Sequence, residues 1–186
     1  MFEKTLIILK PDAMSRGLAG KIIARFERAG LKIAAARLDR TSAEMLDKHY
    51  RVEKLAPIIG KKSKDAGTDV GDDVAAYGRM VLSWNQSYMM EGPILVMVLK
   101  GENAIKRVRA LVGATDPQNA PPGTIRGDFG VDSIAIANSE RRGTANLVHA
   151  SDKSDKLDEN QYEEANDEIS LWFPGAGLEN RYDHRD

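Results

Sequence analysis

The sequence predicts an α+β fold in which helices pack on a small antiparallel sheet. Three observations carry that prediction. Thr5-Leu6-Ile7-Ile8-Leu9 and Ile94-Leu95-Val96-Met97-Val98-Leu99 are unbroken apolar runs of strand length, the pattern of strands buried on both faces. Each run is followed, after turn residues, by a segment with apolar residues at helical spacing. The order strand, helix, strand then occurs twice along the chain. With 186 residues, 42% of them hydrophobic and 30% charged, the chain can bury a sizeable core and suits one soluble domain with insertions.

The elements follow in order. Lys10-Pro11-Asp12 closes the first run, because proline cannot extend a sheet ladder. Lys10 then stands at a central strand tip, either as a phosphate-binding cation or as a lysine snorkelling at a strand end. From Arg16 to Ala29, Leu18, Ile22, Ile23 and Phe26 recur at helical spacing, and Gly30 supplies a stop. Leu31 to Leu38 is expected to be the second strand, although Ala34, Ala35 and Ala36 prefer helix. Thr41-Ser42-Ala43-Glu44 has capping-box spacing and opens a helix that carries Leu46 and runs to His49-Tyr50. Pro57-Ile58-Ile59-Gly60 is expected to break the pattern. Lys61 to Asp73 is polar and aperiodic, as in a surface insertion or loop. Val74 to Met90 regains helical spacing.

Gly92-Pro93 marks a turn into the second apolar run, which Gly101 ends. Glu102 is expected in the first turn of a helix with Ala104, Ile105, Val108, Leu111 and Val112 inward. Lys106, Arg107 and Arg109 lie on its outer side, the usual mark of a solvated face. Residues 113–128 form a long stretch dense in proline and glycine, read as a stiff loop that presents Thr115 and Arg126. Val131 to Ala137 reads as an edge strand or part of an insertion. Asn146-Leu147-Val148-His149-Ala150-Ser151-Asp152 then places an imidazole at the end of a short apolar run. Lys153 to Gln161 is charged and irregular. Tyr162 to Phe173 is helical, with Ala165, Ile169 and Trp172 on one face and Glu168 beside them, and a polar tail begins at Pro174.

Composition removes several function classes. The formal net charge is -1, which gives no support to a nucleic-acid or membrane surface. There are no cysteines, so disulfides, thiolate metal sites and cysteine nucleophiles are excluded together. The first residues lack the basic flank and apolar run of a signal peptide, and no segment approaches the ~20 apolar residues of a membrane span. A cytoplasmic location is the expectation. Asn85-Gln86-Ser87 matches a glycosylation acceptor but has no secretion signal to give it meaning.

What remains is a constellation of Lys10, Arg109, Thr115, Arg126 and His149. A lone histidine is more often a surface or hydrogen-bonded residue than a catalyst. Two arginines and a lysine converging on an imidazole would instead describe a polyphosphate pocket, since guanidinium forks bind phosphate oxygens bidentately. A neutral imidazole is a competent nucleophile. No G-x-x-x-x-G-K-[ST] loop is present.

The ordered motifs Leu9-Lys10-Pro11-Asp12-Ala13, Arg16-Gly17-Leu18, Pro122-Gly123-Thr124-Ile125-Arg126-Gly127-Asp128 and Asn146-x-x-His149-x-Ser151-Asp152 resemble nucleoside diphosphate kinases. The resemblance covers most of the chain outside the loops and tail. It implies a ferredoxin-like βαββαβ core in a single domain over 1–186, with insertions near 61–77, 130–145 and 153–161. It implies γ-phosphoryl transfer from a nucleoside triphosphate such as ATP to a nucleoside diphosphate, by a ping-pong route through a phosphohistidine on Nδ1 of His149. Asn146 matches the sugar contact. Lys10, Arg109, Thr115 and Arg126 match the groups that hold phosphates and ribose. Tyr50 matches a tyrosine packed beside the lysine, and Glu168 the carboxylate that orients the histidine. Mg2+ would arrive with the nucleotide, with no direct protein ligand and Asp152 as the nearest water-mediated contact. A homo-oligomer, hexamer or tetramer, is also implied.

The chain departs from the family pattern where Pro57-Ile58-Ile59 replaces Pro-Phe-Phe and where Ala150 stands at a usual glycine. Isoleucine offers apolar contact to a base but no stacking. Ile58 and the insertions motivate a second reading, a nucleotide-binding regulatory module with little turnover. His49 belongs to a His-Tyr pair with a structural or solvent role, and His184 in the tail receives none.

Overall fold

The computed structural model describes residues 2–152 and 162–180. The segment 153–161, expected to be an irregular insertion, and His184 lie outside the described residues. Strand β1 (Phe2–Leu9) leads through Lys10 into the short helix α1 (Pro11–Ser15), whose first position is the proline. Helix α2 (Ala19–Arg28) starts three residues later than the periodicity predicts, because Gly17 turns the chain at φ +63° between the two helices. Gly30, at φ +75°, ends α2. There the amide of Leu31 donates to the carbonyl of Phe26 at 3.1 Å, the bond of a glycine-closed helix end.

Strand β2 (Lys32–Asp39) precedes α3 (Ala43–Tyr50). The cap of α3 is Ser42, whose hydroxyl accepts from the Met45 amide at 3.3 Å, so Thr41 does not open the helix. Helix α4 (Val52–Asp65) runs straight through Pro57. The expected break at Pro57-Ile58-Ile59-Gly60 is therefore wrong, and so is the loop expected from Lys61 to Asp65. Proline inside a helix costs about 3 kcal/mol. Burial of Ala56, Gly60 and Ser63 against the next helix, α5 (Val74–Met90), offsets that cost.

Strand β3 (Ile94–Glu102) takes in Glu102, which pairs with Phe2 rather than starting a helix. Helix α6 (Ala104–Val112) begins after Asn103, at φ +50°. The proline-rich stretch contains a 3-10 turn at Pro117–Asn119 and the short helix α7 (Ile125–Phe129), so Arg126 sits on a helical turn and not on a plain loop. The edge strand considered for Val131 to Ala137 is instead helix α8 (Ile134–Ser139), capped by Ser133 through the Ile136 amide. Strand β4 (Val148–Ala150) and helix α9 (Glu163–Trp172) complete the described chain.

The four strands lie in the order β2-β3-β1-β4, all antiparallel. With α2 and α6 as crossovers this is the ferredoxin-like α+β arrangement. β1 sits between β3 and β4, and Leu6 to Leu9 are fully buried, which explains their unbroken apolar run. Alternation along the strands sends Ile7, Leu9, Met97 and Leu99 against Ile22 and Phe26 of α2 and Val108 and Val112 of α6. It sends Leu6, Ile8, Val96 and Val98 to the other face, against Leu46 of α3, Met89 of α5 and Ile169 and Trp172 of α9. Helices thus cover both faces, and the tips of β1 and β4 are held between two packed layers.

Candidate active site

The end of β1 builds the turn that presents His149. The amide of Lys10 donates to the Leu147 carbonyl at 2.8 Å. The amide of Leu147 donates to Asp12 Oδ2 at 3.1 Å. Leu147 itself is held at φ +68°, with the Val148 amide closing on the Asn146 carbonyl at 2.8 Å. A buried leucine in a left-handed three-residue turn is strained, and the Lys10-Pro11-Asp12 corner over-determines it. Ala150 pairs with Ile7 in ordinary strand geometry. The unusual backbone therefore falls on Leu147 and not on Ala150.

His149 pairs with Ile8 across the β1–β4 ladder. Its Nε2 lies 2.9 Å from Oε1 and 3.0 Å from Oε2 of Glu168. The carboxylate therefore holds Nε2, and Nδ1 is the nitrogen it does not engage. Ser151 Oγ also donates to Glu168 Oε2. Burial alone would raise the Glu168 pKa, but the charge and hydrogen bond of His149, then His49 and Ser151, hold the carboxyl well below the usual range. His49 packs edge-on against the His149 ring, with centroids 4.6 Å apart. Its Nδ1 accepts from the Trp172 indole at 3.3 Å. Burial, opposed by Glu168, brings its pKa down to about 4, so His49 is a neutral packing partner.

The cations surround this ring. Lys10 Nζ donates to Asn146 Oδ1 at 2.8 Å and lies 5.9 Å from the centre of the Tyr88 ring. Asn146 Nδ2 donates in turn to the Thr115 carbonyl at 2.9 Å. Arg126 donates to four main-chain carbonyls: Asn146 at 2.9 Å, Gly113 at 2.9 Å, Ala114 at 3.1 Å, and Val148. Burial, then the nearby Arg109 charge, brings the Arg126 pKa down to about 10, with Asp12 opposing. Buried cations with depressed pKa values are groups that an entering anion stabilises. Arg109 stands at the half-exposed mouth, 3.1 Å from Asp152 Oδ2.

Together these groups line a cleft of about 460 Å3. Lys10, Tyr50, Arg109, Thr115, Arg126, Asn146, His149, Asp152 and Glu168 all face it, so the structure brings every site residue singled out in the sequence to one place. One wall is α4, which contributes Ile58 and Lys62. Sequence reasoning assigned no role to Asp12, Tyr88 or Lys62. Asp12 lies inside a quoted motif, where a role could have been sought. Tyr88, which donates to Asp12 Oδ1 at 2.5 Å, lies 76 residues away in a helix with a ragged apolar stripe and gave no signal.

Among the described residues the potential metal cluster is His49, His149 and Glu168, with ligand atoms within 4.8 Å of one another. These groups already engage one another, Trp172 and Ser151. Two imidazoles also suit a hard oxygen-seeking cation poorly. The carboxylates at the cleft mouth are those of Asp152 and Glu164.

A family model described as nucleoside diphosphate kinase matches residues 3–64 and 76–178. The chain belongs to the nucleoside diphosphate kinase family. It is an enzyme of the phosphotransferase class. The nucleoside diphosphate kinase of Pyrobaculum aerophilum is 46% identical over 181 residues, covering 92% of this chain and 94% of that one. The crystal structure of an NDP kinase from Pyrobaculum aerophilum matches with a TM-score of 0.84 at 41% identity, over 97% of this chain and 100% of that one. A transition-state mimic of the Borrelia burgdorferi nucleoside-diphosphate kinase, with bound vanadate and ADP, matches at 0.76 and 31% identity, over 98% and 94% of the two chains. Residues 65–75, outside the matched ranges, span the last residue of α4, the link and the first residues of α5. No helix among the described residues is long and apolar enough to cross a membrane.

Proposed function

We propose that the chain moves the γ-phosphoryl group of a nucleoside triphosphate such as ATP to a nucleoside diphosphate in two steps through His149. The observation that carries this reading is the clamped imidazole: Nε2 is held by Glu168 at 2.9 Å, which leaves Nδ1 as the nucleophile of a ring that lines a cleft with Lys10, Arg109 and Arg126. In the first step the Nδ1 lone pair attacks the γ-phosphorus. The bond from that phosphorus to the β,γ-bridging oxygen breaks, and the nucleoside diphosphate leaves. In the second step a terminal phosphate oxygen of an incoming diphosphate attacks the same phosphorus, and the N–P bond breaks. Glu168 stabilises the positive charge that the ring acquires on phosphorylation.

Phosphoryl transfer asks a protein mainly for position and charge neutralisation, and the cleft is equipped for both. Lys10, Arg109 and Arg126 supply charge. Asn146 and Thr115 supply polar contacts for sugar and phosphate, and Tyr50 supplies a wall. Mg2+ would come as part of the nucleotide complex and supply charge neutralisation there, and the Asp152 carboxylate is the group suited to meet its water shell. A binding module without turnover would need no nucleophile clamped at one nitrogen. A relative with ADP and vanadate bound supports the same class of substrate. The whole of 1–186 is read as one domain of this kind with added loop segments, acting in the cytoplasm as a homo-oligomer, hexamer or tetramer.

Incubation with γ-labelled ATP and Mg2+ tests the reading. Wild-type protein is expected to take up label that a nucleoside diphosphate removes, and His149→Gln to take up none. An unlabelled wild type, or a labelled His149→Gln, would overturn it.

A further inference from the structure

Three lysines lie close together near the end of α4, and they do different things. Lys61 faces outward and pairs with Asp65 at 2.7 Å, one turn on. Lys64 does not line the cleft. Lys62 does, one helical turn beyond Ile58 and on the same face. Ile58 is the position where an aromatic side chain would stack on a base, and Lys62 follows it toward the mouth where Arg109, Asp152 and Glu164 also line the wall. Among the described residues, no hydrogen bond or ion pair holds the Lys62 ammonium. Lys62 is exposed to solvent over much of its length, yet its pKa is lowered, by partial burial first and then by Arg109 and Arg126, with Asp152 and Glu164 opposing. The lysine thus shares the cleft with Arg109 and Arg126 and feels the charge of both. Three cations that repel one another across a cleft are drawn together by a polyanion between them.

We infer that Lys62 is a further polyphosphate-binding residue, which holds the phosphates nearest the sugar from the α4 side. This rests on the nucleotide reading of the cleft. It gives a reason for a cation one helical turn beyond Ile58, in a wall that also carries Lys54, Leu55, Ile59 and Ser63. Substrate binding then depends on charge contributed by α4 as well as on the deep cations Lys10 and Arg126.

Titration calorimetry with ADP, with inorganic tripolyphosphate and with adenosine, each with Mg2+, tests the inference on wild type, Lys62→Met and Lys62→Arg. Lys62→Met is expected to weaken ADP and tripolyphosphate by roughly three- to tenfold, the range for a charged contact partly screened at a rim. Adenosine is expected to bind unchanged, and Lys62→Arg to recover most of the loss. In turnover assays the KM for the diphosphate rises while kcat stays within about twofold, because the contact is shared by ground and transition states. Unchanged tripolyphosphate affinity in Lys62→Met overturns the inference. Equal losses for adenosine and ADP also overturn it, by making Lys62 a base contact. Tripolyphosphate binding needs no turnover. A wild type that binds it but takes no label from ATP therefore sinks the phosphohistidine reading and leaves Lys62 standing.

Discussion

Lys10 carries its charge where charge is penalised. It is 9% exposed, and burial, then the Arg126 charge, brings its pKa down to about 8 from 10.5, with Asp12 opposing. A bound polyphosphate favours the protonated form, so the pKa in the complex lies above that of the free protein. Linkage then gives the sign. Nucleotide affinity is full below pH 8 and is lost as pH rises through 8 toward the bound-state value, by up to about tenfold per pH unit. ADP titrations from pH 6.5 to 9.5 are expected to show that fall, and Lys10→Met to bind weakly with a flatter profile. A wild-type affinity that holds constant to pH 9.5 would remove Lys10 as a phosphate cation. The chemical identities at the site were legible in the sequence, because lysine, arginine and histidine at motif spacing limit what a pocket can do. The strained residue was not. Positive φ belongs to Leu147 rather than to its neighbours because Lys10 and Asp12, 135 or more residues away, hold both its carbonyl and its amide.

The pairing of α4 with α5 sets the wall that carries Ile58 and Lys62. A Cβ on Gly78 would lie 1.8 Å from the Ala56 carbonyl oxygen, and one on Gly60 would lie 1.9 Å from that of Val74. Both obstacles are backbone, so no side chain can yield and the helices themselves would have to part. Gly78→Ala therefore sets two effects against each other. Alanine favours helix over glycine by about 1 kcal/mol, whereas overpacking typically costs about 1–3 kcal/mol. The contact is expected to win, lowering the melting temperature and raising the KM for nucleoside diphosphates as α4 moves off the cleft. A raised melting temperature would show that the close approach carries no such constraint. This pairing also explains why some elements escaped sequence reasoning. α2 and α6 show their own apolar period, because each packs a regular face on the sheet, and β1 and β3 show unbroken apolar runs because helices cover both faces. α4 buries Ala56, Gly60 and Ser63, residues too small and polar to read as an apolar stripe. Pro57 therefore looked like a terminator although packing carries the helix past it.

Across the whole molecule, the core and the site share a side chain. His49 leaves α3 between the Trp172 ring of the core, 5.7 Å between centroids, and the His149 ring of the cleft at 4.6 Å. It is 6% exposed and its folded pKa is about 4 against 6.5 for an open histidine. The unfolded chain therefore binds a proton in a window where the folded chain does not. Stability from this residue is fully present above pH 6.5, is lost as pH falls toward 4, and amounts to about 3 kcal/mol in total. Glu168, whose carboxyl is held low, adds a loss in the same direction once pH drops below the ordinary carboxylate range near 4.5. Urea titrations at pH 7, 5.5 and 4.5 are expected to show stability falling with pH. In His49→Asn, which keeps an acceptor for the indole and cannot be protonated, that fall should be shallower. Because one ring bridges both regions, activity and tryptophan fluorescence should be lost together as acid is added. An activity midpoint well above the fluorescence midpoint, with His49→Asn as acid-sensitive as wild type, would mean that the cleft titrates independently of the core.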